Sequence, residues 1–150
     1  MSFFLSIFKL FPPEVSHSIA LNSLKFLHKL KLINIFYPRF KNQEVEFLGL
    51  KLTNRLGTAA GLDKNGDFID SIGSLGFGFL EVGTVTPKLQ TGNPKPRVFR
   101  IFDEEAIINR LGFNNKGVDY LVKRLQKRKF QGVVGVNIGA NKTSRTKKDR

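Results

Sequence analysis

FGFLEVGTVT, residues 77–86, is an apolar run rich in β-forming side chains and reads as a buried strand. Just before it, KNGDFIDSIGSLG (64–76) has helical spacing through Phe68, Ile69, Ile72 and Leu75, with glycine at its end. Before that, RLGTAAG (55–61) reads as a short strand closed by glycine. Further on, VDYLVKRLQKRK (118–129) reads as a basic amphipathic helix with Val118, Leu121, Val122 and Leu125 on one face. GVVGVNIG (132–139) reads as a third apolar strand. Strand, helix, strand, helix, strand implies parallel strands with right-handed crossovers, hence an α/β fold. PRVFRIFDEEAIINRLGF (96–113) is an excursion within this series, and EVEFLGLKLTN (44–54) alternates as a short hairpin across Gly49.

Three such strands make a poor complete domain, and a (β/α)8 barrel needs about 250 residues. The expectation is therefore the front part of something longer, stopping one strand into a third β–α unit.

The first forty residues differ in texture and contain no glycine. FFLSIFKLF (3–11) is apolar on nearly every side, with Lys9 its one charge. It is far shorter than the ~20 residues that span a bilayer. It lacks the basic start and small-residue cleavage site of a signal peptide. Pro12-Pro13 stops it, and Glu14 opens a second helical run with Leu21, Leu24, Phe26 and Leu27 apolar and Lys25, His28, Lys29 and Lys31 interleaved. Apolar and basic short helices suit an interfacial membrane element. A helical cap packed on a larger domain is the alternative.

The 150 residues carry a formal charge of +13, 15 Phe, no Trp and no Cys. Without cysteine there are no disulfides, zinc–thiolate sites or thiol catalysis. The charge suits an acidic partner such as a membrane surface, a nucleic acid or an anionic substrate. A genome biased toward Lys, Asn, Ile and Phe gives the same composition with no functional meaning, so charge alone names no partner.

Two nucleotide motifs fail. A P-loop needs Gly-Lys-Ser/Thr, but Lys64 follows Asp63 and precedes Asn65. A dinucleotide fingerprint on Gly76-Phe77-Gly78 needs glycine at 81, where Glu81 stands. What recurs is position. Gly61–Lys64, Gly83–Thr86 and Asn137–Asn141 each end a predicted parallel strand, where α/β folds bind ligands. Lys64 offers an ammonium, Thr84 a hydroxyl and Asn137 an amide, while NRLGFNN (109–115) adds Asn109, Asn114 and Asn115 around a Gly-Phe turn. Amides with one lysine suit a planar, polar, anionic ligand. Asp63 has a plain reading as a helix cap, and Asn–Gly turns are commonly just turns. No His follows His28 and no metal-spaced cluster occurs, so a metal hydrolase is not expected.

AAGLDKNG (59–66), EVGTVTPKLQTGNPKPRVFR (81–100), INRLGFNNKGVDYL (108–121) and GVNIGANK (135–142) closely resemble blocks of the class 2, quinone-linked dihydroorotate dehydrogenase family. The likeness runs from about Pro12 to the last residue, and PPEVSHSIA (12–20) resembles that family's helical pre-domain. It implies an FMN enzyme of (β/α)8 barrel fold that oxidises dihydroorotate to orotate in pyrimidine (UMP) synthesis and passes electrons to a membrane quinone. Residues 1–42 would then form a helical membrane and quinone-tunnel element, and 43–150 the front part of the barrel.

Carried over by residue, Ala60, Gly61, Leu62, Asp63 and Lys64 line the flavin, with small residues letting the ring lie close to backbone. Lys64 also reaches the substrate carboxylate. Thr84 and Asn137 contact the flavin, and Asn109, Arg110, Leu111, Gly112 and Phe113 bind the pyrimidine ring. His17 and Arg100 match positions near the quinone tunnel. The implied location is peripheral, on the cytoplasmic side of the cell membrane, with no nucleic-acid partner. In this family the catalytic base is a serine on a loop beyond the third strand, and late-barrel loops hold the flavin phosphate. Both fall past residue 150, and Ser144 is not that serine. The expectation is thus a chain that neither closes a barrel nor turns over substrate alone. The reading from another class is a small basic membrane- or nucleic-acid-binding protein without catalysis.

Overall fold

The computed structural model describes residues 7–36 and 43–144. Residues 1–6 of the N-terminal apolar run and 145–150 of the basic tail lie outside the described residues. After helical residues 7–9, the described residues form helix α1 (Pro13–Lys29), a short α2 (Ile33–Phe36) and a hairpin of β1 (Val45–Phe47) and β2 (Leu50–Leu52). There follow α3 (Ile69–Gly73), β3 (Phe79–Val85), a second hairpin of β4 (Val98–Ile101) and β5 (Ala106–Asn109), then α4 (Val118–Gln126) and β6 (Val133–Ile138).

α1 has the termini its sequence dictates. Pro13 opens it where no backbone donor is needed, Glu14 sits in the first turn, and His28 and Lys29 sit in the last. It closes in a Schellman motif: the Lys31 N–H donates to the His28 carbonyl and the Leu32 N–H to the Leu27 carbonyl, both at 3.0 Å. Lys31 takes the left-handed position, at φ 58°.

The core joins α1 to the strands and helices that follow. Leu21 of α1 is buried with Ile69, Ile72, Leu80, Val82, Val85 and Leu121, and Leu24, Phe68 and Leu125 pack against them. Val15, Ile19 and Phe26 on other faces of α1 stay exposed. β3 is buried at Leu80, Val82 and Val85, as its apolar run predicts. It pairs in parallel with β6, Phe79 opposite Val133 and Val82 opposite Val136.

Three expectations change and one gains detail. The strand expected at 55–61 is only a parallel bridge between Gly57 and Phe79, although the Gly78 and Gly61 N–H groups still tie the segment to β3 (2.8 Å each). A Cβ on Gly57 would overlap the Phe79 ring, so the segment lies against a side chain rather than in a full ladder. The helix expected over 64–76 shrinks to Ile69–Gly73. The reason is the buried Asp63, whose two carboxylate oxygens accept the Asp67 and Phe68 N–H groups at 2.9 and 2.7 Å and wind residues 64–68 into a cap. The excursion at 96–113 holds an antiparallel hairpin, Val98 opposite Asn109 and Ile101 opposite Ala106. On α4 only Leu121 and Leu125, one turn apart, reach the core, while Val118 and Val122 are exposed.

Candidate functional site

A cleft of about 830 Å³ opens between α1 and the turn after Gly57. Gly61, Leu62, Asp63 and Lys64 form one side and Glu14 and His17 of α1 the other, with Arg100, Leu111 and Asn114 closing it. Three distant parts of the chain meet there because each is anchored separately.

The first anchor is the Asp63 cap, which fixes where Lys64 leaves the backbone. Asp63 is 4% exposed, and burial raises its pKa against the lowering effect of the Phe68 and Asp67 N–H groups. With both oxygens engaged, Asp63 shapes the turn. The Gly83 N–H donates to the Asp63 carbonyl (3.2 Å) and the Gly61 N–H to the Gly83 carbonyl (2.8 Å), so the turn lies on the end of β3.

Lys64 Nζ donates to Asn114 Oδ1 at 2.8 Å. Burial lowers its pKa first, and the Arg97 guanidinium lowers it further, while Glu14 acts the other way. His17 is also pushed down, first by desolvation in the cleft wall and then by the Lys64 charge, against Asp63 and a hydrogen bond to the Leu62 backbone. The like-charge part of both effects, Lys64 on His17 and Arg97 on Lys64, is repulsion that an entering anion relieves.

The second anchor is Arg97. Its guanidinium pairs with Glu14, Nη2 to Oε1 at 2.8 Å, and Nη1 donates to the Thr91 and Asn93 carbonyls at 2.7 and 2.9 Å. Asn93 in turn donates from Nδ2 to the Arg110 carbonyl at 2.8 Å. One buried cation therefore ties α1 to the 109–113 loop. Arg100 does similar work: its Nη1 donates to the Phe11 carbonyl (2.7 Å) and its Nη2 to Ser16 Oγ (3.0 Å).

At the strand ends, Thr84 Oγ1 donates to Asn137 Oδ1 at 2.7 Å, and Asn137 Nδ2 donates to Glu81 Oε1 at 3.2 Å. Gly83 holds φ 109°, and a Cβ there would strike the Asn137 carbonyl oxygen, so β3 and β6 approach closely only with glycine. In the 109–113 loop, Leu111 faces the cleft, Gly112 adopts φ 72° and gives its carbonyl to Gln90 Nε2 (3.0 Å), and Phe113 is exposed at φ 52°. Arg110 Nη2 donates to the Pro96 carbonyl (3.1 Å), and Asn109 Oδ1 accepts the Leu111 N–H (3.5 Å). Asn115 is spent on structure: its amide serves Thr86, Phe113 and Gly117. Among the described residues no group of three His, Asp or Glu could hold a metal.

The structure thus brings Gly61–Lys64, His17, Arg100 and Leu111 into one cleft, and pairs Thr84 with Asn137 at the ends of β3 and β6. It adds Glu14 and Arg97, which sequence reasoning did not select. A buried Arg is visible only with its partner, which lies 83 positions away. Asn114 was within the motif, but its service to Lys64 was not readable from spacing.

The dihydroorotate dehydrogenase family model matches residues 42–149. Among curated proteins, a dihydroorotate dehydrogenase (quinone) of Cellvibrio japonicus is 52% identical over 132 residues, covering 88% of this chain and 39% of its own. One from Coxiella burnetii is 53% identical over 138 residues, covering 92% and 40%. Two crystal structures of DHODH from Eimeria tenella are also similar. The one in complex with ferulenol has TM-score 0.70 and 37% identity, covering 89% of this chain and 37% of that one. The ligand-free one has TM-score 0.74 and 38% identity, covering 91% and 40%. The chain spans about 40% of the length of the curated relatives it matches. It belongs to the dihydroorotate dehydrogenase family.

Proposed function

We propose that this chain supplies the first part of a site that oxidises dihydroorotate to orotate, with FMN accepting hydride and a membrane quinone as final acceptor, in de novo UMP synthesis. The observation that carries the reading is the meeting of Lys64 with Asn114 inside a cleft roofed by α1. A partly desolvated ammonium beside side-chain amides suits a planar carboxylate ligand. The ammonium holds the carboxylate, and the amides match ring donors and acceptors, fixing the orientation that transfer needs.

The residues fit a flavin. A Cβ built on Gly61, at φ 106°, would meet nothing within 4 Å, leaving room for a flat ring against backbone. Ala60 to Lys64 would form that bed, with Thr84 and Asn137 offering hydroxyl and amide at the strand ends. When bound, FMN would supply the hydride acceptor. Lys64, with Asn109 to Phe113, would bind the substrate. Asp63 serves this arrangement by fixing the turn that carries Lys64.

The N-terminal portion, residues 1–42, is assigned to the membrane and the quinone path, with His17 and Arg100 beside that path, and residues 43–150 to the barrel. Exposed apolar side chains on and beside α1, Leu10, Phe26 and Leu30, support peripheral membrane attachment, and the cytoplasmic side is the one proposed. Among the described residues no helix is long and apolar enough to cross a membrane.

A chimera tests the reading. This chain replaces the matching segment of the Coxiella burnetii relative, and dihydroorotate-dependent reduction of a soluble quinone is followed. Turnover with bound flavin is expected. A folded, flavin-loaded chimera that leaves dihydroorotate untouched would overturn the proposal.

A further inference from the structure

A second cleft, of about 550 Å³, adjoins the first along Asp67 and Phe68. Its walls carry seven lysines and arginines: Lys25, Lys29 and Lys31 from α1 and its closing turn, and Arg124 with the 127–129 run from the end of α4. Its two carboxylates are already engaged. Asp67 accepts the Tyr120 hydroxyl at 2.6 Å and pairs with Lys116 at 3.0 Å and Arg124 at 3.3 Å. Asp70 Oδ1 accepts the Lys129 and Phe130 N–H groups at 2.8 and 2.9 Å.

Two of the cations are held in place by a neutral group. Lys25 Nζ and Arg124 Nη2 both donate to the Asp67 carbonyl, at 3.0 and 3.2 Å. Lys29, Lys31, Lys127 and Arg128 form no ion pair with a carboxylate among the described residues. So many like charges around one small cleft repel each other, and an anion relieves that repulsion. A guanidinium fork with several ammonium groups matches a phosphate, which offers more charge and more acceptor oxygens than a carboxylate. Nucleic acid fits less well: the ring lining the cleft, Phe68, is covered by Lys25 at 5.2 Å and gives a base no stacking face.

We infer that this cleft is an anion site for a phosphate-bearing ligand, distinct from the candidate dehydrogenase site. The phosphate comes either from a compact soluble anion such as pyrophosphate or from the headgroup of an anionic phospholipid.

The test uses the 150-residue chain in two arms, calorimetric titration with pyrophosphate and co-sedimentation with phosphatidylglycerol–phosphatidylcholine vesicles. Lys29→Gln/Lys127→Gln removes two groove cations, and Lys51→Gln/Lys123→Gln removes two exposed ones outside it. Each groove cation is expected to be worth about fivefold. The groove pair should therefore weaken binding about 25-fold in at least one arm, and the control pair by less than fivefold. Loss in the pyrophosphate arm assigns a soluble ligand, and loss confined to vesicles assigns a lipid headgroup. Equal losses in both pairs, or no binding in either arm, overturns the inference.

Discussion

Lys64 Nζ and Asn114 Oδ1 lie 2.8 Å apart, joining the AAGLDKNG turn to the NRLGFNN loop across 50 positions of chain. A carboxylate arriving in the cleft competes for that ammonium. A charge-assisted bond to it is worth about 1.5–3 kcal/mol. Lys64→Gln in the chimera should therefore weaken orotate binding roughly 10–100-fold. Equilibrium titration of orotate checks this, and an unchanged Kd would remove Lys64 from the site. Because the folded pKa of Lys64 lies below 10.5, its penalty is fully present at pH below that lowered value. It is relieved as pH rises toward 10.5, so the stability of the wild type relative to Lys64→Met should rise on alkalinisation.

The Glu14–Arg97 pair holds α1 to the loop region, with side-chain exposures of 27% and 8%. Removing the carboxylate leaves a buried guanidinium without its partner. Glu14→Gln should cost about 3 kcal/mol at neutral pH by chemical denaturation. The Arg97 hydrogen bond is the main cause of the lowered Glu14 pKa. The pair's contribution is therefore present above pH 4.5 and lost as pH falls through the lowered value. A gap between the two proteins that persists at the acid end would argue against it.

His17 contributes in the same direction from a different cause. Its folded pKa lies below 6.5, so acid protonates the unfolded chain first. Stability should fall as pH drops below 6.5, and His17→Gln should flatten that part of the profile. NMR titration of the imidazole gives a direct reading, and a pKa above 6.5 would contradict the packing described for the cleft wall.

Gly83→Ala should be among the most damaging single-methyl additions. It combines φ 109° with a collision on the Asn137 carbonyl, at the point where β3 and β6 diverge in register. A loss of more than about 2 kcal/mol is expected. A thermal midpoint within a degree of the wild type would mean the strands separate there freely.

Lys31→Gly should act oppositely. Lysine occupies the left-handed position of the Schellman motif that ends α1, at φ 58°. Glycine takes that position without a Cβ penalty, giving about 0.5–1 kcal/mol of added stability. Thermal unfolding of the two chains decides it.

Much of this was readable from the chain alone. FGFLEVGTVT had to be buried, because it offers apolar β-formers without a break, and it forms β3. The Gly49 hairpin and the parallel pairing of the last strand with β3 followed from local alternation and from strand–helix order. The Lys64 turn was expected to end a strand over 55–61; that strand is only a bridge at Gly57, and the turn is held instead against the end of β3. The misreadings share a cause. Helical spacing at 64–68 was real, but the Asp63 carboxylate offered those N–H groups a better acceptor. The 55–61 segment had strand composition, but Gly57 yields its place to the Phe79 ring.

By itself, then, the sequence determined most of the alternation of elements, the strand ends proposed to bind ligand and the four motif blocks that mark the family, since each depends on neighbours along the chain. Tertiary structure alone decided that Glu14 meets Arg97, that Lys64 meets Asn114, and that two carboxylates in a basic groove are already engaged. Those are contacts between residues 49 to 83 positions apart, set by how α1, α3 and α4 pack around Leu80 and Val82. No local pattern encodes them, because the free energy that selects them comes from burying the shared core.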